Sequence, residues 1–171
     1  MLIVIDFQER LARHIVGIEK IVKNSIKLIK TFKILGYPIL ITEHVKLGDT
    51  LSEIKVFSDR TIKKSSFSCL RCDDFYREFK RVNPRRVVLI GIEAHICVLQ
   101  TALDLIREGC EVYVALDCIG SRREFEREVA VMRMIQEGVK VCTSESVIYE
   151  FMETSEHEKF KDVLEIVKEY A

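Results

Sequence analysis

The 171-residue sequence has no net charge: 27 Lys and Arg balance 27 Asp and Glu. Binding to nucleic acid or a membrane surface through bulk charge therefore has no support. Long apolar runs are missing too. Residues 1–6, MLIVID, are too short for a signal peptide or a membrane span and end on an aspartate. The expected setting is cytoplasmic, with no membrane partner. No Gly-rich loop follows the first strand, which disfavours nucleotide binding. Linkers, repeats and low-complexity segments are also absent, so one domain spanning 1–171 is expected. Asn and Gln are scarce while Lys, Glu, Arg and Ile are plentiful, a bias that resembles a thermophile's. The six cysteines of a cytosolic chain read as reduced, buried or reactive groups.

What is present is alternation. Short β-branched runs take turns with longer amphipathic stretches, the signature of a parallel sheet with crossover helices. Strands are expected at Leu2 to Ile5, Ile39 to Thr42, about Thr61 to Lys63, Arg86 to Ile92, Val112 to Leu116 and Val139 to Cys142. Helices are expected from Ile18 to Leu35, Asp73 to Val82, Cys97 to Arg107, Glu124 to Gln136, and in the tail from Glu156 to Tyr170. Residues 44–70 otherwise read as irregular. The fold class is α/β: a three-layer α/β/α doubly wound domain on a mostly parallel six-stranded sheet of order 3-2-1-4-5-6.

In such a sheet, ligands bind beyond the carboxyl ends of the strands where the order reverses. The first and fourth strands flank that point. Asp6 follows one of them and the segment GIEAHICV follows the other, so a carboxylate and Cys97 converge on one crevice. Cys97 lies where a helix starts, a position that favours an anion and lowers a thiol pKa. The competing reading is a buried small hydrophobe. For Asp6, the competing reading is a turn cap. Lys64, in TIKKSSFS, reads from periodicity as a solvated loop charge.

Three motifs tie these residues together. VIDFQ resembles the strand-end D-x-Q of isochorismatase-like hydrolases. KSSFS resembles their K-x-S-F/A-S segment, and GIEAHICVLQTALDL resembles the stretch around their nucleophile. DCIGSR and TSES match as well. The resemblance covers nearly the whole chain in order and implies a catalytic triad of Asp6, Lys64 and Cys97. The lysine would hold carboxylate and thiolate, keeping the sulfur ionised. A non-proline cis peptide between Ile92 and Glu93 is implied too, aiming the backbone N–H groups of Glu93 and Cys97 into an oxyanion hole. The Glu93 side chain need not take part.

The implied reaction is acyl transfer on a small amide, carbamate or related carbonyl compound through a thioester. No cofactor is expected. No metal is expected either: TEHVKLGD offers Glu43 and His44 where metal-binding relatives carry more histidines. Phe7, Gln8, Phe67 and His95 are expected to line the substrate pocket. Partners are a small molecule and further copies of the chain, as a homo-oligomer. Two rival readings stand beside this one. The chain is a non-catalytic binding member of the same fold, or Cys69 and Cys72 form a redox pair. The stretch SRREFERE, from Ser121, reads as a solvated helix start.

Overall fold

A computed structural model describes residues 1–58 and 61–170. Two of the residues expected to be irregular, Asp59 and Arg60, lie outside the described residues, as does Ala171. The strands are β1 (Leu2–Ile5), β2 (Ile39–His44), β3 (Ile62–Lys64), β4 (Arg86–Ile92), β5 (Glu111–Gly120) and β6 (Lys140–Cys142). They form one sheet in the order β3-β2-β1-β4-β5-β6, with every neighbouring pair parallel. The expected reversal between β1 and β4 is there.

The helices are α1 (Glu9–Ala12), α2 (Ile18–Ile34), α3 (Ser52–Lys55), α4 (Asp73–Val82), α5 (Leu99–Arg107), α6 (Glu124–Gln136), α7 (Ser144–Met152) and α8 (Phe160–Glu169). Strand residues alternate between two cores, as the two-residue period of a strand requires. Leu2 and Val4 of β1, with Val88, Ile90 and Ile92 of β4, pack toward Leu28, Ile29 and Phe32 of α2 and Val147 and Ile148 of α7. Ile3, Ile5, Val87 and Leu89 pack the other way, toward Phe75 and Phe79 of α4 and Ala102 and Leu105 of α5. All four residues of β1 are buried, as expected for a parallel strand covered on both faces.

Local chemistry sets several ends. Helix α4 stops at Asn83, whose left-handed backbone (φ 46°) lets its N–H return to the Phe79 carbonyl before Pro84. Helix α7 starts from a reciprocal cap: Thr143 Oγ1 accepts from the Ser146 N–H, and Ser146 Oγ accepts from the Thr143 N–H. Position 91 must be glycine. Its φ is +140°, and a side chain there would collide with the Ile5 carbonyl on β1. Register pairs Ile5 with Gly91, so the strand ends bearing Asp6 and Glu93 lie side by side.

Three expectations need correction. The helix expected to start at Cys97 begins at Leu99, after a wide π-helical turn over Ala94–Val98. Strand β5 runs on past Leu116 to Gly120, absorbing a register shift opposite Leu89 to Gly91. The stretch after Cys142, expected to be without an element before Glu156, holds α7.

Candidate active site

Asp6 is fully buried at the end of β1. Its φ of 52° is left-handed, a conformation that costs a non-glycine residue on the order of 1–3 kcal/mol and persists only where its surroundings enforce it. Here they do. Its amide N–H donates to the Thr42 carbonyl at 3.3 Å, and its own carbonyl accepts from the Gln8 N–H at 2.7 Å. Its Oδ1 accepts from Thr42 Oγ1 at 2.8 Å, and Oδ2 from Lys64 Nζ at 2.6 Å.

Lys64 ends β3, and its register partner is His44 of β2. That edge-strand pairing turns a lysine that reads as solvated into one whose side chain is wholly buried. Besides Asp6, Nζ donates to the carbonyls of Ser66 and Phe67, each at 3.2 Å, and lies 3.7 Å from Cys97 Sγ. An ammonium has three protons, so its donors are committed. Burial works against its charge. Asp6 foremost, then Cys69 and Cys97, together outweigh that, and the Lys64 pKa rises above the ordinary lysine value.

Cys97 sits in the π-helical turn, where the Glu93 carbonyl is taken by the amides of Ile96 and Val98, one on either side of it. Burial pushes its thiol well above the usual range. The Asp6 carboxylate pushes the same way, and Lys64 opposes but does not prevail. Burial and Asp6 thus favour the thiol, the direction opposite to the expected thiolate. The Ile92–Glu93 peptide is cis.

A cavity of about 220 Å³ opens over Cys97, walled by Leu11, Leu47, Phe67 and Ile96. His44, Glu93 and Arg122 complete its lining. A larger groove of about 530 Å³ lies between α1, α2 and Tyr170, but none of Asp6, Lys64 and Cys97 lines it. The His44 ring stacks on Phe67, with centroids 6.1 Å apart and planes 13° from parallel. Its Nδ1 accepts from the Lys46 N–H at 3.3 Å, which makes Nε2, 3.0 Å from the Ser65 carbonyl, the donor. Neither nitrogen is left for a metal. Glu43 likewise turns to Thr50, taking its N–H and hydroxyl. Among the described residues, no three His, Cys, Asp or Glu side chains gather as a metal site.

Of the expected pocket residues, only Phe67 lines this cavity. Phe7 points into the core on the α2 side of the sheet. Gln8 is buried and holds the following loop: its side chain bonds both the N–H and the carbonyl of His44, and the carbonyl of Gly48. His95 faces a separate surface cleft with Arg71 and Arg107, and its Nδ1 lies 3.0 Å from Ser121 Oγ.

Arg122 was concealed in the stretch read as a solvated helix start. It lines the cavity, and the buried Glu93 carboxylate clamps it: Oε1 accepts from both the Arg122 backbone N–H and Nε at 3.0 Å. The Glu93 side chain thus does take part in the site. The position of Arg122 in the DCIGSR motif is the one signal that could have found it.

Cys69 is sealed in the core at the start of a 3-10 turn, and burial pushes its thiol up to about 11. Cys72 donates from sulfur to the Lys63 carbonyl at 3.5 Å. Both are free thiols. Burial and its raised pKa make Cys69 a poor attacking thiol.

Comparison with known proteins agrees with this architecture. The Isochorismatase domain family matches residues 1–146. Isochorismatase domain-containing protein 2B of Mus musculus is 37% identical over 172 residues, spanning 99% of this chain and 81% of its own. Isochorismatase domain-containing protein 2 of Rattus norvegicus is 36% identical with the same coverage. Among solved structures, that of the MAR1 ribonuclease from Caenorhabditis elegans superposes with a TM-score of 0.91 at 35% identity, covering 98% of this chain and 88% of that one. Similarity of this extent, on the same parallel sheet, makes the chain a member of the isochorismatase family of hydrolase-fold proteins.

Proposed function

We propose that the chain is a hydrolase that transfers an acyl group through Cys97, acting on a small amide, carbamate or related carbonyl compound. One observation carries this reading: a single buried ammonium, Lys64, touches both Asp6 and Cys97 beside a small apolar cavity. As sulfur attacks the carbonyl carbon, the thiol proton passes to Asp6. Lys64 keeps the carboxylate in place and offsets the charge that builds near it. The oxyanion is received by the backbone N–H groups of Glu93 and Cys97. Collapse of the tetrahedral adduct sends the Asp6 proton to the leaving nitrogen and leaves a thioester. Water, deprotonated by Asp6, then releases the acid and restores the thiol.

The test is a panel of small amides and carbamates incubated with wild type and Cys97→Ala, read by intact mass. An acyl adduct on wild type alone supports the reading. Absence of any adduct or turnover across the panel, with ligand binding retained, favours the non-catalytic binding member instead. RNA belongs in the panel because the similar Caenorhabditis elegans protein is named a ribonuclease. Cleavage lost in Cys97→Ala would replace the amide reading.

Assembly as a homo-oligomer in the cytoplasm completes the proposal. Helix α6 supports the assembly, exposing Phe125, Val129, Met132 and Ile135. A contiguous apolar face of this kind marks an interaction site. Light scattering of wild type and Phe125→Glu reads it: a multimer that the substitution dissociates is expected. Among the described residues, no helix is long and apolar enough to cross a membrane.

A further inference from the structure

The cavity over Cys97 is unequal in its hydrogen-bonding capacity. Leu11, Leu47, Phe67 and Ile96 offer no polar side-chain atom. The ring nitrogens of His44 are taken by Ser65 and Lys46. The ammonium of Lys64 is taken by Asp6, Ser66 and Phe67. Arg122 differs. Its Nε and backbone N–H are bound by Glu93, and the two Nη groups at the end of the same rigid plane have no hydrogen bond among the described residues. Its side chain is 55% exposed, while that of its clamp is 4% exposed.

The neighbouring residue shows that this is placement rather than a general property of the segment. Arg123 is 79% exposed and pairs with Glu126 one turn along α6. Arg122 instead turns back to the turn that carries Cys97. A clamped guanidinium with its outer edge available has the geometry that receives a carboxylate through two parallel N–H···O bonds. Glu93 fixes the plane and pre-organises that edge, so less rotamer freedom is lost when an anion arrives.

We infer that Arg122 is the anchor for a carboxylate on the substrate, and hence that the compound attacked by Cys97 is a small acid carrying its reactive carbonyl a short chain away. The inference rests on Cys97 as the nucleophile. An apolar cavity alone would hold a carbonyl compound without fixing which atom meets the sulfur. A charge-assisted contact from Arg122 in the same lining fixes that register.

Isosteric alkylating agents test this without knowledge of the substrate. Iodoacetate and iodoacetamide differ only in that one carries a carboxylate, and both meet the same fraction of ionised sulfur, so the ratio of their rates cancels the thiol pKa. The one-carbon-longer bromopropionate and bromopropionamide pair probes a second reach. Modification of Cys97 is followed by peptide mass mapping, with Cys97→Ala as blank and a free thiol as reference. In wild type the acid-to-amide ratio at one of the two lengths should exceed that of the free thiol by roughly 10- to 100-fold, the range of a charged hydrogen-bond pair. Arg122→Met should bring it to the free-thiol ratio, and Arg122→Lys should fall between. A wild-type ratio no higher than that of the free thiol at both lengths, or one that Arg122→Met leaves unchanged, overturns the anchor while Cys97 labelling by the amides stays intact. Failure of every reagent to modify Cys97 removes the nucleophile and the anchor together.

Discussion

Two cysteine–aspartate pairs among the described residues differ in their surroundings. Asp6 meets Cys97 beyond β1 and β4. Asp117 and Cys118 are consecutive in β5, with Cys118 Sγ 3.8 Å from Asp117 Oδ1. Burial first and the aspartate second raise both thiols. The difference lies in what surrounds each pair. The Asp117 oxygens are committed to the start of α7, accepting from the Ser144 N–H at 2.7 Å and its hydroxyl at 2.6 Å. Cys118 is sealed in the core. Asp6 is paired instead with a buried ammonium that also reaches its thiol, under an open cavity. A carboxylate beside a thiol is therefore common furniture; the cation and the access make it a candidate site.

The sharpest way to break that contrast is to remove each sulfur in turn. Cys97→Ala should lower turnover at least ~1000-fold, as loss of a nucleophile does elsewhere, while Cys118→Ala leaves it unchanged; steady-state rates on any substrate found by the mass screen decide it. Asp6→Asn should slow turnover ~100- to 10,000-fold by removing the base. Because the carboxylate also raises the thiol, the same substitution should speed iodoacetamide labelling of Cys97. Slower labelling would mean that Asp6 activates the sulfur at rest, against the direction argued here.

Stability separates the pairs next. Lys64→Met leaves a buried carboxylate without its cation and should cost about 3–5 kcal/mol in urea denaturation. Asp117→Ala removes hydrogen bonds to neutral partners, at the start of α7 and from Cys118, and should cost about 1–3 kcal/mol. The smallest effect is with pH. A thiol whose folded pKa lies above the ordinary 9.0 keeps its proton in the native state after the unfolded chain has lost it. Stability therefore falls as pH rises above that value. Lys64, also raised, contributes in full below the ordinary 10.5, and that share is lost as pH climbs through its folded value. Denaturation midpoints measured from neutral to alkaline pH should fall, and Cys97→Ala should flatten part of the decline.

The sheet was legible because both of its faces are buried: uninterrupted apolar runs such as RVVLIGI have few other uses, and β4 keeps the expected bounds. Helix α4 and helix α6 also match theirs, each closed by a residue suited to a left-handed or glycine stop. Helix α7 escaped although Thr143 and Ser146 carried its start signal, because the β-branched Val147 and Ile148 are weak helix formers. In the site, topology alone brought Asp6 toward Cys97. Lys64 was out of reach of periodicity, since a three-residue edge strand places it, and only the KSSFS resemblance pointed to it. Phe7 and Gln8 were misassigned for a related reason: the left-handed turn at Asp6 redirects the chain immediately after it.

Gly91 has a consequence for how this scaffold can change. Main chain of β4 rests on main chain of β1 there, with no room for a methyl group between them. The spacing of the strand ends that carry Asp6 and Cys97 is thus gauged by backbone thickness rather than by side-chain size. Walls at Leu11, Leu47 and Ile96 can be recut for a different guest without retuning that gauge, whereas position 91 tolerates no tailoring.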